Sequence, residues 1–99
     1  MTVNVHSVHF EADAKLLEHV DKKIVKLATH HDRIVAVDVF LKLDNVIHQI
    51  KDKIAEIRVQ IPKHELFVKQ STKSFEESFD MALDSMLIQI KKVKEKQLV

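Results

Sequence analysis

Apolar residues recur along the chain with two different periods. Val3 and Val5 alternate with polar neighbours, which predicts a short half-buried strand ending near Val8 to Phe10. The period then lengthens: Leu16, Val20, Ile24 and Leu27 share one face of a helix, and Asp13 stands where its carboxylate can accept from the free amides of the first turn. This spacing predicts a helix from Asp13 to about His30. After His31-Asp32-Arg33, alternation returns at Val35, Val37, Val39, Leu41 and Leu43, with Asp38 and Lys42 between, as in a long half-buried strand. Asp44-Asn45 reads as a turn, and Val46 to Ile50 take no assignment. Ala55, Ile57, Val59 and Ile61 form a third strand, and Pro62-Lys63 turns the chain into a fourth at about Glu65 to Thr72. Ser74 followed by Glu77 has the spacing of a capping box, ahead of a helical core stripe of Phe75, Phe79, Ala82, Met86, Ile90 and Val93.

The order strand, helix, strand, strand, strand, helix predicts an α+β fold, β-α-β-β-β-α, with a four-stranded mixed sheet and two helices packed on one face. A helical crossover between the first two strands is right-handed and sets them side by side and parallel; the later hairpins continue antiparallel. Ninety-nine residues make one domain, 1–99, with one core and little room for a deep cleft.

Charge adds a second pattern to the first helix. Lys15, His19, Lys22, Lys26 and His30 recur at helical steps, Lys23 joins their stripe, and Glu18 and Asp21 fall together on another flank. Lys91, Lys92, Lys94 and Lys96 close the chain on the last helix with only Glu95 to offset them. Two helices offering ammonium groups point to a polyanion, and a formal net charge of +1 means that any such site is local. The helix dipole accounts for Glu76, Glu77, Asp80 and Asp84 near the start of the last helix and for the lysines at its end. It does not account for Lys15 near the start of the first. Sorted stripes also arise by chance, so the pattern alone leaves a plain solvated surface open.

Other chemistry finds little support. The chain has no cysteine, which removes disulfides, thiol nucleophiles and cysteine-ligated zinc, and no glycine, which removes phosphate-cradling loops. His30-His31-Asp32 and His6 with His9 lack zinc-ligand spacing and read as solvated imidazoles. The serines have no base at a recognisable spacing, so an enzyme is not expected, nor a metal, cofactor or small-molecule substrate. No apolar run spans a bilayer and no secretory signal opens the chain, which makes the cytoplasm the expected compartment. Phe10, Phe75 and Phe79 sit at core positions, so base stacking on an aromatic platform is poorly supported and contacts to phosphate and sugar are expected instead.

Lys26-Leu27, His31-Asp32-Arg33-Ile34, Val39-Phe40-Leu41-Lys42, Glu65-Leu66, Ser74 to Asp80, and Gln89 with the terminal lysines together resemble the short ribosome hibernation-promoting factors. These are also described as ribosome-associated translation inhibitors or sigma-54 modulation proteins. The resemblance runs the length of the chain. It implies a sheet with two helices on one face, similar to a double-stranded RNA-binding domain. It also implies a role in silencing idle ribosomes by binding the small subunit near the decoding centre, where messenger and transfer RNA otherwise lie. Carried over by position, the resemblance makes Lys22, Lys23, Lys26, Arg33, Lys91, Lys92, Lys94 and Lys96 the expected contacts to ribosomal RNA, with Lys15 weaker.

The chain departs from the family pattern in places. Ser74-Phe75-Glu76 replaces an Asp-Met-Tyr-like helix start, Pro62-Lys63 replaces a glycine turn, and Asp44 to Asp52 looks longer than in the shortest members. These changes spare the basic helices and add acid near them. A C-terminal dimerising domain of the longer members is not expected, and a free monomer is. Two other readings stay open: a basic-faced regulator of an acidic protein partner, and a generic binder of double-stranded RNA.

Overall fold

The computed structural model describes residues 1–45 and 51–97. Four strands, β1 (Thr2–Val8), β2 (Ala36–Asn45), β3 (Lys51–Ile61) and β4 (His64–Thr72), form one sheet in the order β1-β2-β3-β4. β1 runs parallel to β2, and the remaining pairs are antiparallel. Three helical segments, α1 (Ala14–Ile24), α2 (Lys26–His30) and α3 (Phe75–Gln97), complete the fold. The expected architecture and strand directions are present.

The sheet buries one face through its alternate positions. Val37, Val39 and Leu41 of β2, Ala55, Ile57, Val59 and Ile61 of β3, and Val68 of β4 meet Leu16, Val20, Ile24 and Leu27 from the first helix and Phe75, Phe79, Ala82, Leu83, Met86 and Ile90 from α3. Full burial of each large aliphatic or aromatic side chain contributes about 1.5–3 kcal/mol. This core fixes the rotation of both helices, and so decides which charges look outward.

The Asp13 cap forms as expected, with the Leu16 amide donating to Asp13 Oδ1 at 2.8 Å. The first helix, however, is not continuous to His30. At Val25 the α-helical pattern gives way to a tighter turn, in which the Ala28 amide donates to the Val25 carbonyl at 3.1 Å. Two adjacent β-branched residues, Ile24 and Val25, lower helix propensity there. The tighter turn also suits a core stripe that steps from Ile24 to Leu27 by three. The helical direction is kept, because Val25 stays in the right-handed region.

Three local expectations change. Asp44-Asn45 is not a turn: both residues are in β2, paired with Asp52 and Lys51, because β3 begins four residues before the alternation at Ala55 becomes visible. Val35 is exposed and precedes β2, although its amide donates to the Gln60 carbonyl at 2.8 Å. At the Ser74–Glu77 cap, the Glu77 amide donates to Ser74 Oγ at 3.4 Å, but the Ser74 amide already donates to Thr72 Oγ1 at 3.1 Å. Thr72 thus replaces the reciprocal bond that Glu77 would supply. The Pro62-Lys63 turn forms with Lys63 at φ 69°, a left-handed conformation that costs a non-glycine residue roughly 1–2 kcal/mol.

Candidate nucleic-acid interface

α1–α2 and α3 lie side by side and point the same way. His19 and Lys23 meet Asp80 early in α3, whereas His30 meets Lys91 and Lys94 late in it. Parallel packing therefore brings both C-terminal ends to one end of the domain. Glu76 and Glu77 sit in the first turn of α3, and Asp13 caps the first turn of α1, at the other end. The charge sorting seen along each helix becomes a sorting of the whole layer.

At the basic end, Thr29, His30, Lys91, Lys94 and Glu95 line a recess of about 280 Å³ between α2 and α3. His30 is held from below, since its Nδ1 lies 2.9 Å from the Lys26 carbonyl. A carbonyl only accepts, so Nδ1 carries the proton and Nε2 is left for other contacts. Thr29 Oγ1 donates to the same carbonyl at 2.7 Å.

Lys22 and Lys26 are exposed one turn apart on the first helix, and Lys15 continues their stripe. Arg33 is exposed in the loop after α2. Its amide donates to Nδ1 of His31 at 3.0 Å, and His31 is only 5% exposed. His31 is therefore not a solvated imidazole, as its sequence context suggested. It is a buried post that shapes the loop carrying Arg33.

Lys23 is only half exposed and is paired: its Nζ lies 3.0 Å from Asp80 Oδ1, and His19 Nε2 lies 2.7 Å from the same oxygen. His19 also sets its ring edge-on to Phe79, with centroids 6.0 Å apart. Partial burial by itself would raise the Asp80 carboxyl, but hydrogen bonds from Lys23 and His19, reinforced by their charges, hold it below its ordinary value. His19 and Lys23 thus belong to the seam between the helices more than to the outward stripe.

The four terminal lysines divide. Lys91 and Lys94 follow Asp80 at helical spacing and face α2. Lys92 and Lys96 follow Gln89, whose Nε2 donates to the Phe67 carbonyl of β4 at 3.4 Å, and so they stand on the opposite flank. All four are exposed. Lys91 and Lys94 thus meet His30 at one end, with Lys26 one turn before His30 and Arg33 three residues after it; Lys22 lies a turn further back, level with the Lys23–Asp80 pair, and Lys92 and Lys96 stand across the α3 ridge. The role of Asp80 across the seam escaped sequence reasoning because the dipole already explained an acid there. His30 was visible as part of the stripe.

Among the described residues there is no group of three or more metal-ligating side chains, and no helix is long and apolar enough to cross a membrane.

A ribosome hibernation promoting factor from Pseudomonas putida is 29% identical over 97 residues, covering 98% of this chain and 90% of that protein. The fold matches the N-terminal domain of Protein Y from Thermus thermophilus with a TM-score of 0.80 at 23% identity, over 94% of this chain and 99% of that one. It also matches a ribosomal subunit interface protein from Coxiella burnetii with a TM-score of 0.84 at 16% identity, over 96% and 99%. Residues 3–98 match the family described as sigma 54 modulation protein / S30EA ribosomal protein. With its helix pair, its sorted charges and a match over nearly its whole length, the chain belongs to that family, one of ribosome hibernation factors and not of enzymes.

Proposed function

We propose that this single domain binds the small ribosomal subunit in the cytoplasm, near the decoding centre, and silences idle ribosomes by occupying the path of messenger and transfer RNA. The observation that carries this reading is the gathering of cations from two parallel helices at one end of the layer, in a chain of this family. Lys22, Lys26, Arg33, Lys91 and Lys94 contact ribosomal RNA phosphates from the near side of α3, and Lys92 and Lys96 from its far flank. Lys23 joins them when RNA phosphate displaces Asp80. The protein is a monomer when free.

Phosphate contact gives the reading a quantitative signature. Each contact releases condensed counterions, so the near-side contacts alone, about five, weaken binding roughly 500-fold between 50 and 200 mM salt. The test is co-sedimentation with separated subunits through a density gradient at those two salt concentrations. Binding to the small subunit, lost at high salt and lost when messenger and transfer RNA occupy it, is the expected result. Binding to the large subunit alone, or equal binding to any RNA duplex, would overturn it. The double reversal Lys22→Glu with Lys26→Glu is expected to cut small-subunit affinity by at least about 100-fold, on the same counterion argument, while leaving the melting temperature near that of the parent. Normal binding by that variant would remove the helix face from the interface.

A further inference from the structure

The basic end of the domain is not made by the helices alone. β2 starts there and β3 ends there, since Ala36 pairs with Gln60, and the turn at Pro62-Lys63 joins β3 to β4 just beyond. The loop that carries Arg33 and the turn that carries Lys63 are therefore neighbours, tied where the Val35 amide donates to the Gln60 carbonyl at 2.8 Å. Each is also braced from within. The Arg33 amide donates to His31 Nδ1 at 3.0 Å, and Gln60 Nε2 donates to the Ile61 carbonyl at 3.2 Å and the His64 carbonyl at 3.3 Å, on either side of the turn.

Lys63 is exposed in this turn with φ 69°. Turn geometry does not call for a lysine: the residues other than glycine that take this conformation most readily include Asn and Asp, whose short polar side chains bond locally. A long cationic side chain gains nothing from the left-handed backbone and bears its strain. Strain that persists where a local alternative would remove it points to a role for the side chain. Among the described residues, no carboxylate forms an ion pair with the Lys63 ammonium group.

Lys63 also stands between two groups of cations. α3 runs antiparallel to β4, because Ser78 Oγ meets Thr72 Oγ1 at 2.8 Å and Gln89 meets the Phe67 carbonyl. From that second contact, Lys96 lies about 10 Å further along the helix and His64 about 10 Å back along the strand. Lys96 thus ends level with the turn. Arg33 stands on one side of Lys63, and Lys96 and Lys92 on the other. The acids at this end, among the described residues, are Asp32, Glu95 and Glu65, and Arg58 holds Glu65 at 3.2 Å.

We propose that Lys63 is a further contact to RNA phosphate, joining the near-side cations to the far flank of α3, so that one RNA surface follows the end of the sheet. The inference rests on RNA binding by the helix layer and adds to it a contact from the sheet. A flat RNA surface laid against the seam would leave Lys92 and Lys96 unused, whereas one that curves around the end reaches them by way of Lys63. Because the backbone of the turn is already fixed, little further ordering is needed when the contact forms.

The experiment is a titration of variants of the whole protein against small ribosomal subunits at several salt concentrations, alongside thermal melts. Lys63→Gly removes the charge and relieves the backbone. It is expected to melt no lower than the parent and yet to bind about fivefold more weakly at about 150 mM salt, with a log–log salt slope shallower by about 1. Lys63→Asn should do the same. Lys63→Arg should keep the parent's affinity and slope. Lys69→Gln, which removes an exposed lysine from the sheet face turned away from the helices, should change neither.

Parent affinity and slope in Lys63→Gly would overturn the proposal, as would an equal loss in Lys63→Arg or in Lys69→Gln. In each of these cases the parent still binds the small subunit, so ribosome binding by the helices stands. A parent that fails to bind it overturns both.

Discussion

The helix layer and the open sheet face carry charges in opposite ways. On the helices, acids and bases collect at different ends, leaving a cluster of cations that acts over a Debye length. On the open face of the sheet, Glu56 has Lys42 at 3.1 Å and Glu65 has Arg58 at 3.2 Å, so these charges largely cancel beyond the first contact. A sorted surface draws a polyanion from a distance. A paired surface exerts little pull until something touches it, and then it selects by shape. One small domain therefore holds a long-range face and a short-range face back to back, joined by a shared core.

Removing that shared core is the most severe way to break the contrast. Phe79 is fully buried between the sheet and the helices, and the His19 ring packs against it in a T-shaped arrangement. Phe79→Ala is expected to cost about 3–5 kcal/mol of folding stability, and denaturant unfolding would show it. Both faces should weaken together. If only one did, the two would not depend on a common scaffold.

A smaller effect separates the two flanks of α3. Lys91→Glu should lower the salt slope of ribosome binding by about 1 or more, since Lys91 lines the recess with His30, and Lys92→Glu should lower it less. Titrating both variants against small subunits at several salt concentrations checks this. Equal losses would mean that RNA wraps the whole ridge of α3 and does not sit in the seam.

The smallest effect lies where sorting fails, at Asp80. Its carboxyl is held low in the folded protein by Lys23 and His19. The pairing therefore stabilises the fold above the unfolded carboxyl value of about 3.9, and that contribution is lost as pH falls through the lower folded value. Asp80→Asn should cost less than about 1 kcal/mol at neutral pH, because the pair is partly solvated. Thermal melts of parent and variant should converge as the pH drops below about 4. A gap that persists in acid would mean that the side chain matters for packing and not for charge.

These tests follow the line between what the residue order reveals and what it conceals. Alternation through Val37, Val39 and Leu41 and through Ala55 to Ile61 revealed the central strands, because one face of each is buried. The helical stripes at Leu16 to Leu27 and Phe75 to Ile90 were legible for the same reason. Asp44 and Asn45 were not legible as strand, since local turn preference was overridden by pairing with Lys51 and Asp52. The basic cluster was visible as two separate stripes, but only parallel packing reveals that their C-terminal ends meet. The pairing of Asp80 with His19 and Lys23, and the packing of Arg58 against Phe40 and Phe67, were hidden, because each depends on a neighbour distant in the chain. A count of five phenylalanines says nothing about which two face outward.

The parallel pairing of β1 with β2 has a consequence for how the chain reaches this structure. β2, β3 and β4 form a meander whose partners are close in sequence, whereas Thr2 must find Ala36 after the whole first helix has intervened. Closing that long loop costs entropy before any contact repays it. During synthesis β1 thus leaves the ribosome as an edge strand with nothing to pair against, and it must wait for β2 to follow it out.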